Sequence, residues 1–495
     1  MSLKRILTLL FSKAVVLRNN LWKKNAVKTQ EKTMRKLISK AEKTVFGKKH
    51  NFKKIKNYND FKREIPVRDY EELKPYINLI IEGKKNVLWP GRPIYFCKTS
   101  GTTSGVKYIP ITKQSMPYHI KSARDAILSY IKETKNTSIV KGKMIFLQGS
   151  PELENKGGVL TGRLSGIVAH HVPKYLTKNR LPSFKTNCIS DWEKKINSIV
   201  DETVCEKMSV IGGIPPWVQM YFEKIQQKTG RLISEVFPDF KLFIYGGVNY
   251  DPYRKTFEKL IGKKIHGIEF YPASEGFIAY QDSQTKEGML LCVNHGIFYE
   301  FILASTFFNK NPKRLFLEDV EVGVNYVIIL NTNAGLWGYN IGDTVKFTSI
   351  NPYRIIVSGR IAHFTSAFGE HVIANEVEKA LNGALEEVEA SVNEFHVAPQ
   401  VNPKIGLPYH EWLIEFEKKP VDLVKFAEKI DIQLQKYNSY YKDLITGGVL
   451  QPLKITSICK GGFREYMKSI GKLGGQNKVP RLANDRKIAD KLITF

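Results

Sequence analysis

Six small or hydroxylated residues are packed together at Ser100-Gly101-Thr102-Thr103-Ser104-Gly105, with Lys107 two positions on. Pro93–Cys97 reads as a short buried strand before them, and Ile109–Thr112 as another after them. Glycines permit positive φ and close backbone approach. Backbone N–H groups and hydroxyls on such a loop can wrap phosphate oxygens, and a lysine adds a point charge. The spacing Gly-x-x-x-Gly-x-Lys differs from the nucleotide-binding pattern Gly-x-x-x-x-Gly-Lys-Ser/Thr, and plain turn chemistry accounts for the same composition. Two further stretches carry reactive types. Ile268–Gly276 is a strand running into a turn with Tyr271, Ser274 and Glu275, where a carboxylate can hold Mg²⁺ and a tyrosine can stack on a base. Tyr339–Thr344 is a glycine turn presenting Asp343 before a strand; a carboxylate accepting ribose hydroxyls is a recurring nucleotide device. Taken singly, each is also an ordinary solvated turn.

The elements that must position these residues alternate. Ser115–Lys135 is expected to be helical and Lys143–Gln148 a strand. A helix over Trp192–Val204, a strand over Met208–Ile211 ending at Gly212-Gly213, and a helix over Pro215–Thr229 follow. Lys241–Tyr245 is a strand ending at Gly246-Gly247, then come a helix at Arg254–Leu260 and a strand at Ile265–Tyr271. Strand, glycine turn and helix in rotation are the signature of an α/β fold with a covered sheet. The middle section turns to strands, at Met289–Val293, Phe298–Ile302, Tyr326–Leu330, Thr344–Thr348 and Arg354–Ser358, which fits a β-barrel-like subdomain. Past Ser358-Gly359-Arg360 the pattern resets: a helix at Asn375–Leu385, strands at Val392–Ala398 and His410–Phe416, a long helix over Asp422–Tyr440 and a strand near Leu450–Cys459. The expectation is a large N-terminal α/β domain, residues 1–360, and a small mobile α+β C-terminal domain, residues 361–495.

Composition is that of a globular chain of 495 residues, 42% hydrophobic and 25% charged, long enough for two domains. No apolar run approaches the ~20 residues of a membrane span. Five scattered cysteines without Cys-x-x-Cys spacing argue against a disulfide framework or zinc site and for a reducing cytoplasm. The net charge is +28, and residues 1–60 hold 17 Lys/Arg against 3 Asp/Glu. Such a basic arm can meet nucleic acid or anionic lipid, or simply be a solvated surface. Ile6–Phe11 is a short apolar run after two cations, but no small-x-small cleavage site follows it. Two amphipathic helices are expected there, roughly residues 2–22 and 27–45, with Gly47 ending the second; short helices at Tyr58–Glu64 and Asp69–Ile81 follow.

In this order, the three reactive stretches and a final Gln476-Asn477-Lys478-Val479-Pro480-Arg481 resemble a known set. They are similar to the adenylate-forming superfamily of acyl-CoA synthetases, luciferases and peptide-synthetase adenylation domains. More closely they resemble the plant auxin-responsive acyl acid amido synthetases, the Gretchen Hagen family, and its bacterial branch. The family's Ser-Gly-Thr-Thr/Ser-x-Gly loop, Tyr-x-x-Ser-Glu, Tyr-Arg-x-Gly-Asp and Gln-x-Lys-x-Pro-Arg stand here as Ser100–Gly105, Tyr271–Glu275, Tyr339–Asp343 and Gln476–Arg481. The likeness runs from about Gln30 to Arg481.

The resemblance implies roles. Ser100, Gly101, Thr102 and Thr103 would hold the triphosphate of ATP, and Gly246 and Gly247 would border the adenine. Tyr271, Ser274 and Glu275 would meet base, α-phosphate and Mg²⁺, Asp343 the ribose, and Arg360 would be the hinge arginine. Lys478 would reach the α-phosphate from the C-terminal domain. The implied reaction is adenylation of a carboxylic acid, then transfer of the acyl group to an amine such as an amino acid. An acyl-CoA synthetase, or a basic nucleic-acid-binding protein, are the alternatives. The chain departs from the family at Asn340, which replaces arginine, at Ile361-Ala362 after the hinge arginine, and at His371, where plant enzymes carry lysine. His170-His171 lack further spaced metal ligands, Cys97 sits in an apolar run, Trp217 could line an acyl pocket or the core, and Gly157–Lys174 is a candidate pocket segment.

Overall fold

The computed structural model describes residues 3–100, 106–173, 177–247, 250–361, 364–365, 372–401, 403–446, 450–473, 478–483 and 485–495. They fall into two compact units, one made of 1–250, 254–341 and 346–356, the other of 251–253, 342–345 and 357–495.

The first unit begins with two helices, α1 (Leu3–Lys24) and α2 (Ala26–Ala41). The second is shorter than its expected reach to residue 45. The Thr44 side chain accepts the Gly47 N–H and starts a new short helix, Val45–Lys49, so Gly47 lies inside a helix instead of ending one. Glycine is required there because a Cβ would lie 2.2 Å from the Ala41 carbonyl oxygen. The strands in chain order are β1 (Tyr95–Ser100), β2 (Val106–Ile111), β3 (Lys143–Phe146), β4 (Glu154–Lys156), β5 (Val159–Gly162), β6 (Arg180–Leu181), β7 (Met208–Gly212) and β8 (Leu242–Gly246). They continue with β9 (His266–Ala273), β10 (Gly276–Tyr280), β11 (Met289–Leu291), β12 (Ile297–Leu303), β13 (Arg314–Leu315), β14 (Asn325–Thr332), β15 (Tyr339–Ile350) and β16 (Tyr353–Arg360).

β6, β3, β7, β8 and β9 run parallel, and β10 and β11 continue antiparallel from them. The middle-section strands join the same sheet through the β11–β16 pair, giving one twelve-stranded order, β13-β12-β14-β15-β16-β11-β10-β9-β8-β7-β3-β6. Every residue of β7 is buried, as expected for a parallel strand covered on both faces. The helix Pro215–Thr229 buries one face: Val218, Tyr221, Phe222 and Ile225, at i, i+3, i+4 and i+7, have no exposed surface. β1 belongs to a separate four-stranded sheet, β2-β1-β5-β4.

In the second unit, β17 (Phe364–Thr365) pairs with β18 (Val372–Ile373), and β19 (Ser391–Gln400), β20 (Tyr409–Lys418) and β21 (Lys454–Ile458) form a mixed sheet. Helices Ala374–Glu387 and Leu423–Tyr437 belong to its core, where Val377, Leu381, Trp412, Phe426 and Leu434 are buried. The long helix expected over Asp422–Tyr440 breaks at Asn438. That side chain accepts the Tyr441 N–H and starts a second helix, Ser439–Thr446, in the way Asn competes for backbone donors.

Candidate adenylation site

Parallel sheets gather function at the carboxyl ends of their strands. β8 and β9 run in register from Leu242↔His266 to Gly246↔Phe270, so Gly246-Gly247 ends one strand directly beside Phe270-Tyr271 on the other. Gly246 admits no side chain, since a Cβ would lie 2.2 Å from the Phe270 carbonyl oxygen. Gly247 has φ +81, where only glycine is unstrained. β9 then turns back into β10, with Ala273 opposite Gly276 and Ser274-Glu275 as the connecting pair. Tyr271 and Glu275 are 9% and 8% exposed. A carboxylate with so little solvent around it is a hard oxygen donor of the kind Mg²⁺ takes, in a setting where charge counts for more than in water.

The strand that feeds the glycine-rich loop arrives at the same turn. β1 and β2 pair from Tyr95↔Ile111 to Ser100↔Val106, so residues 101–105 connect them. Gly101, Thr102 and Thr103 lie outside the described residues, and only the backbone of Ser100 is described. Three residues before Ser100, Cys97 is fully buried and its Sγ lies 3.1 Å from Ser274 Oγ. Burial pushes the Cys97 thiol up to about 12, more than the Ser274 bond lowers it, so sulfur keeps its proton and donates to the serine. Cys97 is therefore a structural contact, not a nucleophile. Lys107, the cation of the stretch, lies 5.6 Å over the Tyr70 ring, whose hydroxyl accepts the Tyr108 N–H at 2.8 Å.

A group that the sequence did not single out lies past the carboxyl end of β3. Lys195 is 3% exposed and donates to the Gln148 and Asn187 carbonyls at 3.0 and 2.6 Å. Arg180 donates to Gln148 Oε1 at 2.5 Å. Burial lowers Lys195 to about 8, with the Arg163 charge acting in the same direction, and lowers Arg180 to about 10. These cations are held by amide oxygens. The trace of this in the sequence is that Lys195 shares a helix face with Ile199 and Thr203 at four-residue spacing. Within the candidate pocket segment, Arg163 packs on Gly149, where a Cβ would lie 2.9 Å from its Cδ. The two histidines do not act together: His170 Nε2 is 2.8 Å from the Pro151 carbonyl and His171 Nε2 is 3.0 Å from the Tyr95 hydroxyl. Trp217 is buried at 6% exposure.

In the second unit, Asp343 lies inside β15 instead of in a turn ahead of it. Gly342, with φ +86, supplies a local distortion within the strand, which is why the stretch reads as a turn, and its carbonyl accepts the Ile361 N–H at 2.6 Å. That bond brings the Asp343 backbone close to the end of β16, where Arg360 sits with its backbone alone described. Ser358 Oγ and Thr344 Oγ1, 3.0 Å apart, join the same two strands. Lys478 is exposed, just ahead of an anchored segment: the Val397 N–H donates to the Arg481 carbonyl at 2.9 Å and His396 Nδ1 is 2.6 Å from the Pro480 carbonyl. His371 is outside the described residues.

Three family models match the chain in order: the GH3 family N-terminal domain over residues 20–185, the central domain over 290–360 and the C-terminal domain over 375–487. The chain belongs to the GH3 family. This GH3 chain is 21% identical over 539 residues to the indole-3-acetic acid-amido synthetase GH3.4 of Arabidopsis thaliana, covering 92% of this chain and 89% of the relative. It is 23% identical over 393 residues to the jasmonoyl–L-amino acid synthetase JAR4 of Nicotiana attenuata, covering 65% and 67%. Its fold matches that of the GH3.15 acyl acid amido synthetase with a TM-score of 0.79 at 15% identity, over 98% and 96% of the two chains. The fold of a 2-hydroxyisobutyryl-CoA ligase in its postadenylation state matches with a TM-score of 0.62 at 12% identity, over 95% and 92%. The GH3 central-domain match ends at Arg360, and the C-terminal match takes in the Lys478 segment.

Proposed function

We infer that this GH3 chain is an acyl-adenylate-forming ligase that joins a carboxylic acid to an amine, an amino acid by the family's example. The observation that carries the reading is the 3.1 Å contact between Cys97 and Ser274. It holds the strand feeding the glycine-rich loop against the Tyr271–Glu275 turn, beside Gly246. The loop, with Ser100, Gly101, Thr102 and Thr103, would wrap the triphosphate, and the Gly246-Gly247 ledge would seat the adenine. Ser274 would meet the α-phosphate, Asp343 the ribose hydroxyls, and Arg360 would serve the hinge ahead of the C-terminal domain. Glu275 would hold Mg²⁺, which neutralises charge on the phosphates when bound.

In the first step a carboxylate oxygen of the acid forms a bond to the α-phosphorus of ATP, and the bond to the bridging oxygen breaks, releasing pyrophosphate. In the second, an amine nitrogen attacks the acyl carbon and loses a proton as AMP departs. The protein supplies position and positive charge; Lys478 would add charge to the developing phosphorane. Lys195, Arg180 and Arg163 would offer positive charge to the acid's carboxylate in the region past β3. The amine's own carboxylate would be drawn by Lys460, Arg464, Lys468 and Lys472, all exposed in the C-terminal domain. Residues 1–360 would form the catalytic domain and 361–495 the lid. Five free cysteines support a reducing, cytoplasmic setting, and no described helix is long and apolar enough to cross a membrane.

The test has two arms. Carboxylate-dependent exchange of labelled pyrophosphate into ATP is expected with at least one member of an aliphatic, aromatic and indolic acid panel, and no exchange with any would refute adenylation. Enzyme carrying acyl-adenylate is then offered amino acids and coenzyme A together. An amide is the expected product by mass, and a dominant thioester would move the chain to the CoA-ligase reading while leaving the first step intact.

A further inference from the structure

Helix α1 is apolar on the side where a surface helix is normally polar. Its inner face is already used. Ser12, Val15, Asn19 and Trp22 are at most 7% exposed. Asn19 donates to Asp125 at 3.1 Å, Trp22 Nε1 donates to Asn19 at 3.2 Å, and Lys23 pairs with Asp282 at 2.7 Å. The helix is therefore seated on its own unit, and its register is fixed. The opposite face should carry the charges. Instead Leu7, Leu10, Leu17 and Leu21 are 56%, 56%, 67% and 70% exposed. With exposed Ala14 they fall at alternating three- and four-residue steps, which is one continuous stripe along the helix. Ile6 and Phe11, 42% and 51% exposed, widen it at one end. The stripe spans about 21 Å at the rise of an α-helix.

Charge decides what fits this face. The sequence of α1 holds six Lys/Arg and no Asp or Glu. Lys13 and Lys24 are exposed, and the Arg18 side chain is 54% exposed with its nearest carboxylate, Asp125, at 3.8 Å. On α2, Lys28, Lys32, Arg35, Lys36 and Lys40 are exposed as well. A second copy of the helix would set Lys13 and Arg18, which border the stripe, against their own likes with no acid on the helix to answer them. A nucleic acid would use the cations and leave the leucines in water. A surface that is anionic above and apolar below satisfies both.

We propose that α1 docks the protein on anionic lipid bilayers, lying in the interface with Leu7, Leu10, Leu17 and Leu21 inserted and the flanking cations among the head groups. This is a peripheral attachment, and it does not depend on the reaction the chain catalyses.

The test is co-sedimentation of the full-length protein with phosphatidylcholine vesicles containing or lacking about 30 mol % phosphatidylserine. Binding to the anionic vesicles is expected to be at least about tenfold tighter than to neutral ones, and to weaken in about 0.5 M salt. The variant Leu10→Gln/Leu17→Gln/Leu21→Gln replaces only exposed side chains with a good helix former, so its melting temperature should match the parent, and it should lose about tenfold or more in vesicle affinity. Lys13→Glu/Lys24→Glu, which leaves the leucines in place, should lose binding to the anionic vesicles. Equal pelleting of parent and leucine variant overturns the proposal. So does self-association in light scattering that the leucine variant abolishes without vesicles present, which would assign the stripe to a second copy. Steeply salt-dependent binding to DNA with no vesicle binding would assign the cations to nucleic acid and likewise overturn it.

Discussion

Substituting Gly246 by alanine tests the proposed adenine ledge with a clash whose size the structure states. On the present backbone the new methyl carbon would lie 2.2 Å from the Phe270 carbonyl oxygen, 3.2 Å from its carbonyl carbon and 3.6 Å from Phe270 Cβ. The oxygen belongs to the main chain of the neighbouring strand, so no rotamer change relieves the contact; β8 and β9 must part by about 1 Å at this point. Gly246↔Phe270 is the last of five paired positions, so the strands can splay at their end without unzipping. Overpacking of this kind costs about 1–3 kcal/mol, which a domain with roughly 5–15 kcal/mol of stability survives. Phe270 leads directly into Tyr271, Ser274 and Glu275, and a misplacement of about 1 Å at reacting groups costs on the order of 10² in rate. Pyrophosphate exchange and urea unfolding, measured on the same preparation, should therefore show a loss of about a hundredfold in exchange beside a modest loss of stability. Gly230→Ala is the control. Gly230 caps the helix Pro215–Thr229 with φ +67, and an added methyl there would meet nothing within 4 Å, so alanine costs only the left-handed strain, about 1–2 kcal/mol. It should exchange at the parental rate. Parental exchange with unchanged KM for ATP in Gly246→Ala would refute the ledge. Equal losses in both variants would show that activity follows stability instead of site geometry.

Lys478→Ala should slow adenylation by on the order of 10², about 3 kcal/mol, while ATP affinity stays within a few-fold, as expected for a charge that acts in the transition state; single-turnover acyl-adenylate formation at the parental rate would remove Lys478 from the site. Acid stability reads a different group. His119 is buried at 4% exposure, and desolvation lowers it to about 4. The unfolded chain binds that proton near pH 6.5 and the folded chain does not, so stability is full above pH 6.5 and is lost as the pH falls toward 4, by about 3 kcal/mol from this residue. His295, lowered by burial and by Lys121, Arg124 and Arg18, acts in the same direction. In urea unfolding from pH 7.5 down to about 4.5, His119→Leu should lose less stability than the parent; a constant gap between the two across that window would contradict the assignment.

Much of this protein is local enough to read along the chain. Pro215–Thr229 announces itself by proline at its start, an apolar residue at each turn of one face, and Gly230 after it. β7 and β8 are short apolar runs closed by glycine. Four motifs in order carry the family without any fold in hand, because each is a few residues whose backbone conformation and chemistry are set by their own types. Element ends are less legible. Thr44 and Asn438 each redirect the chain by capping a new helix, and a side chain that can either sit in a helix or cap one gives the same letter in both cases.

What the chain does with its strands was decided by tertiary packing. Nothing near Cys97 in sequence names Ser274 as its partner 177 positions away, yet that contact sets the loop strand against the Tyr271–Glu275 turn. By its type and position Gly246 only closes a strand; the register with Phe270 shows that no Cβ fits there. Glu300 reads as a polar residue on a strand, whereas it is fully buried, pairing with Arg314 at 2.6 Å and accepting from Asn331 at 3.0 Å. Lys195 and the leucines of α1 are the same lesson in opposite directions, a charge taken inside and apolar groups left outside. Periodicity tells that a helix has an apolar face; which face meets the protein depends on the surface it lands on. Sequence therefore determined the types of group present and the local conformations they favour, and only the fold decided which distant groups meet and which stay in water, because burial is a property of neighbours that the chain brings together from far apart.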